Sequence, residues 1–290
     1  MSAPLLPAVR PARTPSTPAG RSGRGGAWTA GAAAIVVLLL VPFVPLVLTS
    51  VSSGYFHPQV VPDQLSTRAW SVVLTPGSRA WSALVDTMVI GVAVTVLSLL
   101  VAVPAGRVLG TRRFRGRRVV ELLLLLPVVV PTIAVAIGIH VVFIRLGLAG
   151  GLPGVVLVHL IPATPYVVLL SAGVFANLDP ELEAQARSLG APPWRAFTQI
   201  TLPLVAPGLA VAGLLGFLVS WGQYALTLVI GGGRVVTLPI LLFASAAGGD
   251  DAITAATALF HGLPAVVVLI VAARLLTPDH AAVPTLAGAR

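Results

Sequence analysis

The sequence predicts an all-α integral membrane protein with six transmembrane helices and both termini in the cytoplasm. Three observations carry that expectation. First, 57% of the 290 residues are hydrophobic and only 9% are charged, with a mean hydropathy of +0.98. Soluble domains carry about 25% charged residues. A single water-exposed core of this length does not hide so much apolar side chain, so lipid is the natural solvent. Second, six apolar blocks are long enough to cross a bilayer core of about 30 Å, which takes about 20 residues at 1.5 Å rise. Third, arginine is distributed unevenly between alternate loops.

The elements follow in order. Residues 1–27 are rich in Pro, Ser, Gly, Ala and Arg and lack apolar periodicity, as a disordered cytoplasmic tail does. The run from Trp28 to Val51 is longer than a signal-peptide core, and no small-residue cleavage site follows it. It is therefore a retained first span. The six spans lie near 28–50, 84–106, 119–145, 153–177, 204–229 and 252–275. A seventh stretch, Val235 to Ala247, is too short to span, contains Pro239 and follows Gly231-Gly232-Gly233. It reads as a short helix or re-entrant segment packed on the bundle. One transmembrane domain thus fills 28–275, and 276–290 form a C-terminal cytoplasmic tail.

Orientation comes from the 18 basic residues, all of them Arg. With the N-terminus inside, Arg10, Arg13, Arg21 and Arg24 fall in the tail. Arg107, Arg112, Arg113, Arg115, Arg117 and Arg118 follow span two. Arg187, Arg195, Arg274 and Arg290 complete the inner set, which leaves Arg68, Arg79, Arg145 and Arg234 outside. This is the positive-inside pattern. The net charge of +9 does not point to nucleic acid, because the arginines form no stripe with interleaved aromatics.

Spans three and four contain Pro127, Pro131, Pro162 and Pro165. Proline removes a backbone donor and clashes with the preceding turn. The kinks serve either helix packing or the lining of a solute path.

The inner loop, residues 178–203, has its own helical logic. Asp179 is placed to cap a helix, Pro180 takes its first position, and Glu181 and Glu183 fall in its first turns. Gly190 ends it. Pro192 or Pro193 starts a second short helix, with Trp194, Phe197 and Ile200 spaced three apart. Exposed Leu189, Trp194 and Phe197 would make this a knob that docks into a partner; the plainer alternative is an amphipathic connector lying on the membrane.

This loop resembles the E-A-A-x-x-x-G loop of binding-protein-dependent ABC importer permeases, which closes on I-x-L-P. Gly190, Ile200, Leu202 and Pro203 match at the family spacing, and Ala186, Arg187, Leu189, Ala191, Trp194 and Phe197 fit its expanded form. The likeness continues through Leu204 to Leu209, Pro165-Tyr166-Val167-Val168 and the proline-broken third span, and it covers most of 84–275. Around Ser220 to Gly233 and Thr237-Leu238-Pro239 it is similar to the polyamine, thiamine, iron, phosphonate and sulfate group. One position departs: the triplet falls on Ala184-Gln185-Ala186, so the family's acid is replaced by Ala184, with Glu183 one position early.

The resemblance implies a MetI-like permease core in the plasma or inner membrane, forming half of a path for a small solute. It implies a cytoplasmic ABC ATPase dimer, a second permease subunit (the same chain or another) and an extracytoplasmic solute-binding protein. The 178–203 loop would be the coupling segment, and either Glu183 stands in for the acid missing at Ala184 or the contact to the ATPase differs. The chain has no G-x-x-x-x-G-K-[ST] phosphate loop, so ATP is bound by a partner. No catalytic residue, cofactor or metal is expected.

Other polar residues weigh less. His140 and His159 in apolar spans read as hydrogen-bonded packing or pore residues, and His57, His261 and His280 complete no metal-spaced cluster. Asp86 and Glu121 sit near span ends. Ser220, Trp221, Gln223 and Tyr224, grouped around Gly222, line the translocation path or pack helices together. The rival function, an ion-gradient-driven secondary transporter, calls for mid-span carboxylates or ion pairs, and the spans are nearly free of them.

Overall fold

The computed structural model describes residues 24–53 and 62–276. Most of the expected N-terminal tail, the C-terminal tail from 277, and His57 and His280 lie outside the described residues. The chain divides into two units at Pro45 and Leu46. The described part of the first is helical: α1 (Arg24–Leu40), a turn at Val41–Pro42, and the start of α2 (Phe43–Ser50). Among the described residues helix is already present at Arg24, four residues before the expected span.

The second unit contains α3 (Arg68–Leu74), α4 (Arg79–Thr111), α5 (Arg117–Val129), α6 (Thr132–Arg145) and α7 (Leu152–Ala176). Next come α8 (Pro180–Ser188), α9 (Pro193–Ala196), a π turn (Phe197–Thr201), α10 (Leu202–Trp221), α11 (Ala225–Gly231), α12 (Leu238–Ala247) and α13 (Asp251–Leu276). The described residues form no strand beyond one isolated bridge, Ser52 to Leu65. Four helices are long and apolar enough to cross a membrane, and six spans result if each of two broken pairs counts as one.

The centre of this unit is α4 packed on α7, with α10 against both. Close approach depends on small residues. Gly106 and Gly110 lie four apart on one face of α4. A Cβ on Gly106 would sit 2.7 Å from the Ser171 Cβ and 3.0 Å from the Ala172 nitrogen, and one on Gly110 would run into the Ala172 carbonyl oxygen. This is the small-x-x-x-small contact by which membrane helices gain dispersion energy where lipid supplies no hydrophobic drive. Ser98 and Thr164 add a 3.2 Å hydrogen bond across the same pair of helices.

Prolines act unequally. The third span breaks at Val130–Pro131, where α5 and α6 meet at 99°. Val130 is extended (φ −75°, ψ 132°), as a residue before proline prefers. In contrast α7 runs unbroken through Pro162 and Pro165. The expected fifth span, 204–229, is corrected: α10 ends at Trp221, and α11 resumes at Ala225 after a break at 222–224. The expected short helix after the glycines is α12, tied to α4 where the Leu238 N–H donates to Thr87 Oγ1 at 2.9 Å.

At the end of the bundle where α4 and α13 begin, Arg68 and Asp250 pair at 2.6 Å. Asp250 also caps α13, its Oδ1 accepting from the Ile253 N–H at 3.0 Å. The Arg68 hydrogen bond holds the Asp250 carboxyl below the usual carboxylate range.

Candidate functional site

At the opposite end, α8, α9 and the π turn form the helical hairpin expected over 178–203. Its caps follow the residues. Asp179 Oδ1 accepts from the Glu181 N–H at 2.9 Å, and Pro180 takes the first helical position. Gly190 adopts φ +90°, a conformation that favours glycine. The Gly190 N–H donates to the Arg187 carbonyl at 3.0 Å and the Ala191 N–H to the Ala186 carbonyl at 3.1 Å. These paired bonds are a Schellman C-terminal cap. Pro193 opens α9, and the π turn carries the chain into α10.

The hairpin is braced from within. Arg107 Nη2 donates to both Glu183 carboxylate oxygens, at 2.8 and 2.9 Å. Thr201 Oγ1 donates to Glu183 Oε2 at 3.0 Å. The Arg107 guanidinium lies over the Phe197 ring, 4.8 Å from its centroid. Glu183 thus ties α8 to α4 and to the π turn, and its carboxylate faces the bundle. A cleft of about 600 Å³ opens beside this brace, lined by Arg107, Arg112, Glu183, Arg187, Pro193 and Phe197 among others.

Two large apolar side chains point away from it. Leu189 is 90% exposed and Trp194 is 73% exposed. Phe197 is corrected: it is half-buried under Arg107 and not part of the exposed tip. Ala184, Arg187 and Pro203 are exposed, whereas Ala186, Ala191, Ile200 and Leu202 are half-buried, forming the inner side of the hairpin.

The polar group near Gly222 lies at the break between α10 and α11, so these residues are not on one continuous span. Ser220 and Trp221 are buried. Ser220 Oγ lies 2.9 Å from His159 Nδ1. Trp221 stacks between Phe217 and His261, each at 5.4 Å, and its Nε1 donates to the His261 carbonyl at 3.3 Å. Gln223 and Tyr224 are half-buried, and Tyr224 stacks on Phe243 at 4.2 Å. His159 is buried on α7, and its Nε2 lies 2.9 Å from Thr227 Oγ1.

Sequence reasoning missed Arg107, Thr201 and Thr227. The one local signal for Arg107 was its place inside Gly106-x-x-x-Gly110, which marks the helix face that meets α7. Nothing adjacent to Thr201 or Thr227 marked them, because their partners lie 18 and 68 residues away.

Three comparisons bear on this arrangement. The family model described as "Binding-protein-dependent transport system inner membrane component" matches residues 102–279. The molybdenum transport system permease protein ModB of Mycobacterium tuberculosis is 33% identical over 222 residues, covering 71% of this chain and 83% of that one. The putrescine transport system permease protein PotI of Escherichia coli is 29% identical over 175 residues, covering 55% of this chain and 62% of that one. Among solved structures, a bacterial ABC transporter involved in the import of the acidic polysaccharide alginate superposes with a TM-score of 0.67 at 22% identity. That match covers 90% of this chain and 100% of that chain, and it shows a shared fold.

Proposed function

The chain belongs to the binding-protein-dependent transport system inner membrane components, and from that premise we propose how its hairpin, its broken fifth span and its charges serve import. It is the permease subunit of an ATP-binding-cassette importer, a multi-pass plasma-membrane transport subunit and not an enzyme. The family works with an ATPase and a binding protein.

The 178–203 hairpin is the coupling segment that docks on a cytoplasmic ATPase dimer, and both termini lie on that same side. The observation that carries this is the pair of exposed side chains, Leu189 and Trp194, flanking the Gly190 turn on a braced scaffold. Burying each in a partner groove contributes about 1.5–3 kcal/mol. Glu183 acts as an internal strut. When the ATPases close, the displaced tip moves α8, and the Glu183–Arg107 brace and the π turn pass the motion to α4 and α10. Two permease subunits, identical or different, would rock in this way around one path. Gln223 and Tyr224, the half-exposed members of the broken span, face that path.

For the solute, the reading is a small oxyanion of the molybdate class. Molybdenum travels in water as a tetrahedral dianion. A dication such as putrescine calls for carboxylates along its route. Glu121 is occupied by Arg117 at 2.8 Å, and Asp86 near the start of α4 is the one other acidic residue in the described long helices beyond their first turns.

The test is co-purification of the tagged chain, followed by ATPase and uptake assays in proteoliposomes with the binding protein. Leu189→Arg and Gly190→Pro are expected to release the ATPase or to uncouple hydrolysis from uptake. Molybdate is expected to be taken up and putrescine refused. A wild-type chain that holds no ATPase, or a complex indifferent to Leu189→Arg, overturns the coupling assignment. Uptake of putrescine without molybdate overturns the solute class alone.

A further inference from the structure

His159, on α7, is 1% exposed and has both ring nitrogens engaged. Nδ1 lies 2.9 Å from Ser220 Oγ, and Nε2 lies 2.9 Å from Thr227 Oγ1. Thr227 Oγ1 also lies 3.1 Å from the Gln223 carbonyl oxygen. These distances assign the protons. A hydroxyl has one proton and a carbonyl oxygen only accepts. The Thr227 proton therefore goes to the Gln223 carbonyl, and Nε2–H donates to Thr227. An imidazolium here would be a buried charge with no carboxylate in hydrogen-bond contact, so the ring is neutral. Nδ1 then accepts from the Ser220 hydroxyl. The bonds run one way: Ser220 to His159, His159 to Thr227, Thr227 to the Gln223 carbonyl.

The placement of this chain of bonds is informative. Ser220 is in the last turn of α10, Thr227 is in the first turn of α11, and Gln223 lies in the break between them. One side chain from a third helix holds both helix ends. Through Thr227 it also satisfies a carbonyl at the break. A buried break without such partners costs about 1–3 kcal/mol per orphaned polar group. No proline lies within residues 220–227 to make the break obligatory.

We propose that His159 is a positioning residue for transport: it sets the geometry of the break at 222–224, so that Gln223 and Tyr224 face the path, and it links that geometry to movement of α7. The proposal rests on the reading of Gln223 and Tyr224 as path residues. His159 itself, being buried, does not touch the solute.

The chain contains no cysteine, so a single introduced thiol is the only one in this chain, and labelling is read on its band after the subunits are separated. Gln223→Cys replaces the side chain and leaves the carbonyl in place. Its rate of labelling by a water-soluble maleimide is measured in the assembled permease–ATPase complex in proteoliposomes, nucleotide-free and with ATP trapped. The exposed Thr75→Cys serves as control. With His159 present, the rate at position 223 is expected to differ between the two states. His159→Leu is expected to abolish that difference, about a tenfold change and on the scale of one buried hydroxyl, that of Ser220, losing its partner. His159→Gln, which supplies an acceptor and a donor on one amide, restores the difference; Thr75→Cys is unaffected. If His159→Leu does not assemble, Thr227→Val is read in the same way. State-dependent labelling that ignores both changes overturns the positioning role and spares the path. Labelling that is absent or state-independent with His159 present overturns the path reading, and the proposal falls with it. No solute enters the measurement, so the solute class is not at issue.

Discussion

Removing the Glu183 carboxylate should disconnect the 178–203 hairpin from the bundle without unfolding either. In the structure Glu183 receives two contacts from Arg107 Nη2, at 2.8 and 2.9 Å, and one from Thr201 Oγ1 at 3.0 Å. The side chains are 37% and 20% exposed for Arg107 and Glu183, so the pair is neither a surface pair nor a fully buried one. Exposed pairs contribute about 0–1 kcal/mol, and breaking a buried one costs about 3–5 kcal/mol. An intermediate of about 2 kcal/mol follows for Glu183→Ala. At about 1.4 kcal/mol per factor of ten, that is about 30-fold in the equilibrium between docked and undocked α8. Hydrogen exchange of α8 in the permease–ATPase complex should rise by that order, with less solute moved per ATP hydrolysed. Arg107→Ala should behave alike, and the double variant should cost well under the sum of the two. Ala184→Glu supplies an acid one position along, where the family carries it. A helix turns about 100° per residue, and Ala184 is exposed, so Glu183→Ala/Ala184→Glu should not recover the brace. Strict additivity of Arg107→Ala and Glu183→Ala, or full rescue by Ala184→Glu, would refute this account.

Three further outcomes are expected. Gly110→Ala should lower the thermal midpoint in detergent, at a cost of about 1–3 kcal/mol, because its Cβ meets the α7 backbone. Gly138→Ala on α6, where a Cβ meets nothing within 4 Å, should be neutral or stabilising by up to about 1 kcal/mol, and equal effects at the two sites would count against the packing argument. Because the folded Asp250 carboxyl titrates below its unfolded value of about 3.9, its contribution is present above that value and lost as pH falls through the folded one. Proteolysis near α3 and α13 should therefore stay flat from pH 7 to about 5 and rise in stronger acid, and Asp250→Asn should remove that rise while keeping the cap. Trp194→Ala should leave the thermal midpoint of the isolated permease within about 0.5 kcal/mol, since the side chain is exposed, yet weaken ATPase retention; a large loss of stability without loss of retention would reverse its assigned role.

Much of this molecule was legible residue by residue. Apolar run lengths marked the spans, and Asp179-Pro180, Gly190 and Pro193 marked the ends of the hairpin helices, because caps and turns depend on neighbours a few positions away. The break at 222–224 was not legible. The polar group around Gly222 marks the place, but nothing in it says that the helix stops there, and the partner that stabilises the break comes from α7. Proline misled in one direction only: Pro131 breaks its span as expected, whereas Pro162 and Pro165 sit in a continuous helix packed against α4 and α10.

The sequence by itself determined that the chain lives in lipid, roughly where it crosses, and where its helical hairpin begins, turns and ends. Those properties follow from short-range chemistry: hydrophobic length, missing backbone donors, side-chain caps. Only the tertiary structure decided that Glu183 faces inward and Trp194 outward, that Phe197 lies under Arg107, and that His159 spans a helix break. Each of those depends on residues far apart in the chain, 76 positions in the case of Arg107 and Glu183. Their meeting is set by how closely Gly106 and Gly110 let α4 approach α7, a distance that no local pattern in either helix specifies.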